Sequence, residues 1–213
     1  MPRHHWTGPV LISLLLSGCA DSPEPPEIMT RDAATSDVST DAEPARPVAD
    51  AVSSTVAEIP LEIKSWDGLQ DWIASQPGKI VVVDVWATFC MPCLLEFPHF
   101  VELHEEYKDR VACASLNIDF YGGAGDRPEY GRPKVLQILS SQNATMANFI
   151  SSDPDETILK HISSASIPAA LVYDRQGTLH KVFHNDTGEY GPDGFTYERD
   201  IIPLVKQLLR SSS

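Results

Sequence analysis

Two cysteines separated by two residues, in the segment Cys90-Met91-Pro92-Cys93, are the side chains of this 213-residue chain best suited to chemistry. An apolar, β-branched run (79–85) precedes them and a helical pattern (93–108) follows, so the pair lies at a predicted strand-to-helix turn. The amides and the positive dipole of a helix N-terminus lower the pKa of a cysteine there and enrich its reactive thiolate. The second cysteine is one turn further on, within reach for ring closure. The spacing therefore favours dithiol–disulfide exchange at Cys90 and Cys93.

Three alternatives to exchange chemistry remain open for the pair. It could be half of a zinc site, but zinc takes four ligands, the sequence has no second CxxC, and His99 and His104 lie at poor angles on the helix. It could be a static disulfide, although closing so short a loop constrains the unfolded chain little. It could also be a coincidence of spacing.

Residues 60–213 are predicted to form one α/β domain. The strand at 79–85, the helix at 93–108 and a strand at 111–118 form a unit that predicts a right-handed parallel crossover. Asp174 to Gly177 has the composition of a hairpin turn between strands at 169–173 and 178–184. Further helices are predicted at about 66–73, 133–141 and 153–162, with a last one from Ile201, and Asn143 is a candidate left-handed cap.

The first nineteen residues have the pattern of an export signal. A short apolar run from Val10 to Leu16 ends in Leu16-Ser17-Gly18-Cys19. The run is too short to span a bilayer but suits a signal peptide. The ending resembles the lipobox of bacterial lipoproteins, which implies lipidation of Cys19. An ordinary signal peptide cut nearby is the alternative, and both interpretations export the protein.

Residues 20–59 are predicted to be a disordered, acidic, proline-rich tether. The first 59 residues hold 7 of the 17 prolines, and their 3 Arg against 9 Asp or Glu give a net charge of −6. Residues 20–59 contain no aromatic side chain, so they cannot bury enough apolar surface to offset their ordering entropy. The whole chain has a net charge of −14 and a pI near 4.7, which argues against nucleic-acid binding.

The segment from Val83 to Cys93 resembles the active-site segment of the thioredoxin superfamily. The pattern W-A-T-x-C-x-P-C-x-x-E-x-P, at residues 86–98, is more similar to the exported, membrane-anchored TlpA/ResA-like branch. Leu116 to Asp119 resembles the end of the next thioredoxin strand, and Ser166-Ile167-Pro168 lies where the family has its cis-proline. The match covers about residues 60–210 and implies an α/β, thioredoxin-like fold with a central mixed sheet flanked by helices.

The resemblance also implies roles for residues near the pair. Cys90 is the expected nucleophile, Cys93 the resolving thiol and Asp84 the buried acid that accepts the proton of Cys93. An apolar setting raises the pKa of a carboxyl, which suits Asp84 to act as a base near neutrality. Glu96 matches an acidic residue near the dithiol, with an exposed helix charge as the alternative.

Substrate contacts are expected from residues on either side of the dithiol, with a cis-proline backbone beside the sulfurs pairing with an extended substrate. These residues are Trp86, Phe89, Met91, Pro92, Ile167 and Pro168. Phe89 departs from the family's usual Trp, and Ala169 from its common Thr. The loops 119–132 and 185–197 are predicted to reach the same sheet edge and form the walls of a partner groove, with simple surface connections as the alternative. Cys113 is expected to be a buried, inert thiol.

Together these features predict an exported thiol–disulfide oxidoreductase, lipid-anchored to a bacterial membrane and facing the periplasm or exterior. It is expected to reduce disulfides of envelope proteins, with neither a cofactor nor a metal. Because the envelope is oxidising, a reductase there needs a membrane electron donor. The alternative is a Cu(I)-binding or copper-transfer module that uses the same two thiols. A peroxidase fits less well, because position 87 is Ala where Thr is expected.

Overall fold

The computed structural model describes residues 58–211. The predicted signal peptide, Cys19 and the predicted tether as far as residue 57 lie outside the described residues, as do residues 212 and 213. Within the described range, no helix is both long enough and apolar enough to cross a bilayer.

Six strands form one mixed sheet, which confirms the predicted fold class. They are β1 (Glu62–Lys64), β2 (Ile80–Trp86), β3 (Val111–Asn117), β4 (Ala147–Ser151), β5 (Ala169–Tyr173) and β6 (Leu179–His184). Their order across the sheet is β1-β4-β3-β2-β5-β6. Strands β1, β4, β3 and β2 run parallel to one another, whereas β5 is antiparallel to both β2 and β6.

Helices cover both faces of this sheet. They are α1 (Trp66–Ala74), α2 (Met91–Tyr107), α3 (Arg132–Ser141), α4 (Asp155–His161) and α5 (Ile202–Arg210). Buried side chains of α2, α3 and α5 pack on one face, and those of α1 and α4 pack on the other. The domain thus has two apolar cores separated by the sheet.

Strand β2 is buried over its whole length, as its β-branched sequence predicts. Alternate side chains of a strand point to opposite faces. Val81, Val83 and Val85 join the core under α1 and α4, and Ile80, Val82 and Trp86 join the core under α2 and α5. Asp84 lies on the same face of β2 as Val82 and Trp86, so its carboxylate points toward α2.

Two helices begin at positions other than those predicted, in both cases because of local backbone chemistry. α2 begins at Met91, two residues early, since Cys90 is its N-cap. α4 begins at Asp155, because the extended backbone of Pro154 (ψ 147°) makes that residue the N-cap instead of the first helical residue. The predicted left-handed conformation of Asn143 is confirmed by its φ of 52°.

Three short elements were absent from the sequence prediction. They are β1, a 3₁₀ turn at Pro128–Gly131 and a π-helical turn at Tyr197–Ile201 that leads directly into α5. Three residues of strand carry too little periodicity to be recognised. The 3₁₀ turn lies in the predicted loop 119–132, and the π-helical turn lies between the predicted loop 185–197 and the predicted last helix. Pro203 is the second residue of α5, and the helix runs on from it to Arg210.

The antiparallel placement of β5 brings two distant segments to one edge of the sheet. Val85, near the end of β2, pairs with Ala169, and Ala169 pairs with His184 at the end of β6. The turn after β2, the start of β5 and the segment after β6 therefore meet at this edge. The segment after β3 arrives there too, because β2 and β3 are parallel.

Position 122, in the loop after β3, requires glycine both because of its backbone conformation and because a neighbouring side chain lies close to it. Its φ is +74°, and a Cβ built there lies 2.6 Å from Cγ of Pro154. Gly125 has a similar φ of +86° but open space around it. We expect Gly122→Ala to lower the free energy of unfolding by about 1–3 kcal/mol more than Gly125→Ala, because only the first adds a steric clash to the strained backbone. Urea denaturation of both variants measures the difference, and equal losses would contradict the assigned packing.

Candidate active site

The cysteine pair closes the turn between β2 and α2. Cys90 and Cys93 form a disulfide with an S–S distance of 2.01 Å and a Cα–Cα distance of 5.3 Å. The backbone N–H of Cys90 donates to the carbonyl of Ala87, and that of Thr88 donates to Oδ1 of Asp119 at 2.9 Å. The turn is thereby tied both to itself and to the segment that follows β3.

The sulfur of Cys90 occupies the position of a helix-capping acceptor. Cys90 is the residue just before the first helical turn, and its sulfur accepts a hydrogen bond of 3.3 Å from the backbone N–H of Cys93. A thiolate at this place faces free amides and the positive end of the helix dipole, both of which favour the charged form. Cys90 is 7% exposed and Cys93 is 3% exposed, so Cys90 is the slightly more accessible of the two sulfur-bearing residues.

Asp84 is a buried carboxylate on the face of β2 that packs against α2. Its Oδ1 accepts a hydrogen bond of 2.6 Å from the hydroxyl of Tyr197, and its Oδ2 has no partner among the described residues. Burial raises the pKa of Asp84 to about 7; the Tyr197 hydroxyl opposes this shift and the charge of Glu96 adds to it. The sequence predicted this raised pKa, and at neutral pH the group can both hold and release a proton.

Glu96 is half-buried on α2, and one of its oxygens is in use. Its Oε2 accepts a hydrogen bond of 2.8 Å from the backbone N–H of Tyr197. The side chain is thus anchored to the turn before α5, unlike a solvated helix charge. Its part in proton transfer stays a prediction.

Tyr197 is the residue of this region that no sequence pattern indicated. It is fully buried and contacts Asp84 through its hydroxyl and Glu96 through its backbone N–H. Because 113 residues separate it from Asp84, no local pattern links the two. The Thr196 side chain, which caps the backbone N–H of Arg199, was the one local sign that a helical turn begins there.

The peptide bond between Ile167 and Pro168 is cis, as the resemblance implied. Both residues are half-buried at the start of β5 and stand at the sheet edge that carries the cysteine turn. A cluster of hydrogen bonds fixes the preceding segment. The carboxylate of Asp186 accepts from the hydroxyls of Ser164 and Ser166, both at 2.9 Å, and from the backbone N–H of Ala165 at 2.6 Å. These hydrogen bonds lower the pKa of Asp186, and the bond from Ala165 has the largest effect.

Trp86 is a correction to the predicted substrate contacts. The residue is completely buried, and its ring packs edge-on against Phe97 at 5.3 Å. The register of β2 directs this side chain into the core, so it supports the site from below and does not touch a partner. Pro92 and Met91 are exposed beside the disulfide, where the prediction placed them, and their contact with a substrate stays a prediction.

Large apolar side chains are exposed around the cysteine turn. Phe89 is 62% exposed and lies 6.4 Å from the ring of Tyr121, which belongs to the loop after β3. This contact brings that loop to the site as predicted. The exposed apolar residues of this rim are Phe89, Met91, Leu95 and Tyr121.

The loop after β6 also reaches the site, but its aromatic residues point inward. Tyr190 and Phe195 pack against Phe183 of β6, both with ring centroids within 6 Å of it. Phe195 still borders a small cleft of about 110 Å³ between this loop and α2. The cleft is lined by Pro92, Leu95, Glu96, Pro168, Asn185, Asp193 and Phe195. A larger cavity of about 570 Å³ beside α3 does not border the cysteines.

Cys113 is buried and unpaired on β3, as predicted. Burial first, and then the nearby charge of Asp84, raise the pKa of its thiol, which keeps it protonated and unreactive. Among residues 58–211 there is no group of three or more His, Cys, Asp or Glu side chains placed to hold a metal ion.

Comparison with known proteins agrees with this geometry. Residues 66–164 match the family model described as Thioredoxin. The chain contains a thioredoxin-fold domain. A solved thiol-disulfide isomerase from Corynebacterium glutamicum superposes with a TM-score of 0.52 at 18% identity, over 72% of this chain and 96% of its own. At that identity the likeness supports the fold alone.

Proteins with similar sequences include a thioredoxin-like protein and a thiol-disulfide oxidoreductase. The chain is 34% identical to the thioredoxin-like protein YneN of Bacillus subtilis over 56 residues, which are 26% of this chain and 33% of YneN. It is 24% identical to the thiol-disulfide oxidoreductase ResA of Geobacillus thermodenitrificans over 133 residues, 62% of this chain and 68% of ResA. The chain spans 33–44% of the length of the first four curated relatives it matches.

The raised pKa of Asp84 makes the stability of the domain depend on pH. Between the ordinary value of 3.8 and about 7 the folded protein keeps a proton that the unfolded chain releases. The stability contributed by the bound proton is fully present below the pKa of Asp84 in the unfolded chain. It is lost as the pH rises through about 7, the pKa of Asp84 in the folded protein. Since one pH unit in pKa corresponds to about 1.4 kcal/mol, the loss amounts to roughly 4 kcal/mol.

We therefore expect Asp84→Asn to stabilise the oxidised protein at about pH 8 by up to roughly 4 kcal/mol and to change little at about pH 4, because Asn carries no charge to bury. Urea denaturation at the two pH values measures the difference. Asp71→Asn, at an exposed position of α1, is the control and is expected to show no such contrast. An equal effect of Asp84→Asn at both pH values would argue against the buried titration.

Proposed function

We propose that this protein is an extracytoplasmic thiol–disulfide oxidoreductase that reduces disulfides of partner proteins through Cys90 and Cys93. The observation that carries the proposal is the cysteine pair at the N-terminus of α2, at the same sheet edge as the cis Ile167–Pro168 bond. A buried proton acceptor on the adjoining strand, Asp84, completes what two-step exchange requires.

The exchange transfers two electrons from the dithiol to the partner. The Cys90 thiolate attacks a partner disulfide, forms a mixed disulfide and displaces one partner thiolate. Cys93 then passes its proton to Asp84 and attacks Cys90, which releases the second partner thiolate and leaves the Cys90–Cys93 disulfide. The exposed apolar rim and the backbone of Ile167 offer a surface for an extended partner segment.

The direction of electron flow follows from the setting that we propose. An oxidising envelope regenerates disulfides, so a protein that reduces them there needs electrons from a membrane donor. The reduction potential of the pair tests this direction. A value near −270 mV fits a reductase, and a value near −120 mV makes the protein an oxidant.

Lipid anchoring through Cys19 is the second part of the proposal, and it rests on the sequence of residues 1–19. Acyl chains contribute about 0.8 kcal/mol per buried CH₂, so more than one chain holds a domain firmly at a membrane. The acidic, proline-rich segment that follows gives the domain reach from that surface.

We expect Cys93→Ser in the full chain to accumulate mixed disulfides between Cys90 and envelope proteins, because the resolving thiol is gone. Non-reducing electrophoresis of cells treated with acid and a thiol-blocking reagent detects these adducts. Cys113→Ser is the matched control, since Cys113 is a buried thiol outside the pair, and it should leave the pattern unchanged. If Cys93→Ser traps nothing but abolishes Cu(I) binding by the reduced protein, the copper-module alternative replaces this proposal.

Growth with a labelled fatty acid tests the anchor. We expect the full-length protein to incorporate label and Cys19→Ala to incorporate none, because the lipid is attached to the Cys19 sulfur and the new N-terminus. Cys113→Ser should keep the label. An unlabelled mature protein in the wild type would favour an ordinary signal peptide.

A further inference from the structure

Tyr197 joins the two acids of the site through two different groups of one residue. Its hydroxyl donates to Oδ1 of Asp84 at 2.6 Å, and its backbone N–H donates to Oε2 of Glu96 at 2.8 Å. We propose that Tyr197 is a positioning residue that holds Asp84 as the proton acceptor for Cys93 and sets the pH range in which the dithiol reacts. This inference rests on the proposed function and names a residue that controls it.

The surroundings of Tyr197 give its hydroxyl a fixed position. The residue is completely buried, and its ring lies 5.4 Å from the ring of Phe100 on α2. It is the first residue of the π-helical turn, and both the side chain and the backbone N–H of the preceding Thr196 are hydrogen-bonded. The Thr196 side chain accepts from the backbone N–H of Arg199, and its backbone N–H donates to Asp200 at 2.8 Å. The hydroxyl therefore needs no reorganisation to meet Asp84.

Few groups face Asp84 from the elements packed around it, and most of them disfavour its charge. Glu96 approaches from α2 and is acidic, and the buried thiol of Cys113 approaches from β3. No cation pairs with Asp84 within the described range, and the Tyr197 hydroxyl is the one hydrogen-bond donor to it there. A donated O–H of 2.6 Å is typical of a bond to an ionised acceptor and stabilises the carboxylate.

This single bond offsets part of the effect of burial. Without it, desolvation and Glu96 both act to keep Asp84 protonated, and a protonated acid cannot take the proton of Cys93. Tyr197 acts on the exchange only through Asp84. Its loss should therefore slow the step in which Cys93 attacks Cys90 and spare the initial attack by Cys90 on a disulfide.

Tyr197→Phe in the full-length protein removes the hydroxyl and keeps both the ring and the N–H bond to Glu96. Carbon-13 NMR titration of the Asp84 carboxyl in the oxidised protein is the first readout. A hydrogen bond to a charged group is worth about 1.5 kcal/mol or more, which corresponds to a rise of about one pH unit in the pKa of Asp84. Tyr173→Phe is the control, because it removes a hydroxyl that contacts Gln70 on the opposite face of the sheet.

The second readout is kinetic and uses dithiobisnitrobenzoate, a chromogenic disulfide, with the reduced protein. Attack by Cys90 releases one nitrothiolate, and attack by Cys93 on the mixed disulfide releases the second. We expect the second phase in Tyr197→Phe to be about eightfold slower at about pH 6.5 and close to the wild type at about pH 9, with the first phase unchanged. In an Asp84→Asn background, Tyr197→Phe should have no further effect on the second phase.

Two results would overturn the inference. One is an Asp84 titration that does not move in Tyr197→Phe. The other is a second phase that is equally fast in wild type and variant at about pH 6.5, or equally slowed at all pH values, as expected for a merely structural role. Neither readout involves a partner protein, so both are separate from failure of the proposed function, which shows as absence of trapped partners in Cys93→Ser cells.

Discussion

The hydrogen bond between the hydroxyl of Tyr197 and the carboxylate of Asp84 joins the central strand to the turn before the last helix, inside an apolar core. A charged group in that position is costly unless a donor meets it. The bond supplies the donor, while burial and Glu96 keep the pKa of Asp84 near neutrality. In the proposed exchange, Cys93 needs an acceptor that is neither permanently charged nor permanently protonated, and this balance supplies one.

The sheet order explains why so many distant segments converge on one place. β2 and β3 are parallel and deliver the cysteine turn and the following loop to the same edge, where Thr88 bonds to Asp119. β5 is antiparallel to β2, so its first residues, with the cis-proline before them, begin where β2 ends. Asp186 then fixes the segment before that proline from the loop after β6. The site is built from four loops on one rigid sheet.

The surface around the pair consists of an apolar rim and a small cleft whose lining includes Glu96 and Asp193. Phe89, Met91 and Leu95 are each more than 60% exposed, which is unusual for large apolar side chains on a surface that solvent alone covers. Trp86, by contrast, is completely buried and packs in the core beneath the cysteine turn. The positions of these residues in the sequence did not distinguish the two roles, because only the register of β2 decides which side chain turns inward.

Strong local patterns were enough to predict most of the framework. The β-branched run of β2, the period of α2 and the composition of the hairpin turn predicted those elements. The thioredoxin-like fold and the cis bond at Pro168 came from the resemblance of residues 86–98 and 166–168 to a known family. The signals for the strand, the helix and the turn are short in range, since each depends on a few neighbouring residues. Tertiary structure alone decided the burial of Trp86, the inward packing of Phe195 and the meeting of Tyr197 with Asp84 across 113 residues. Such contacts depend on which faces of separate elements pack together, and no local periodicity encodes that choice.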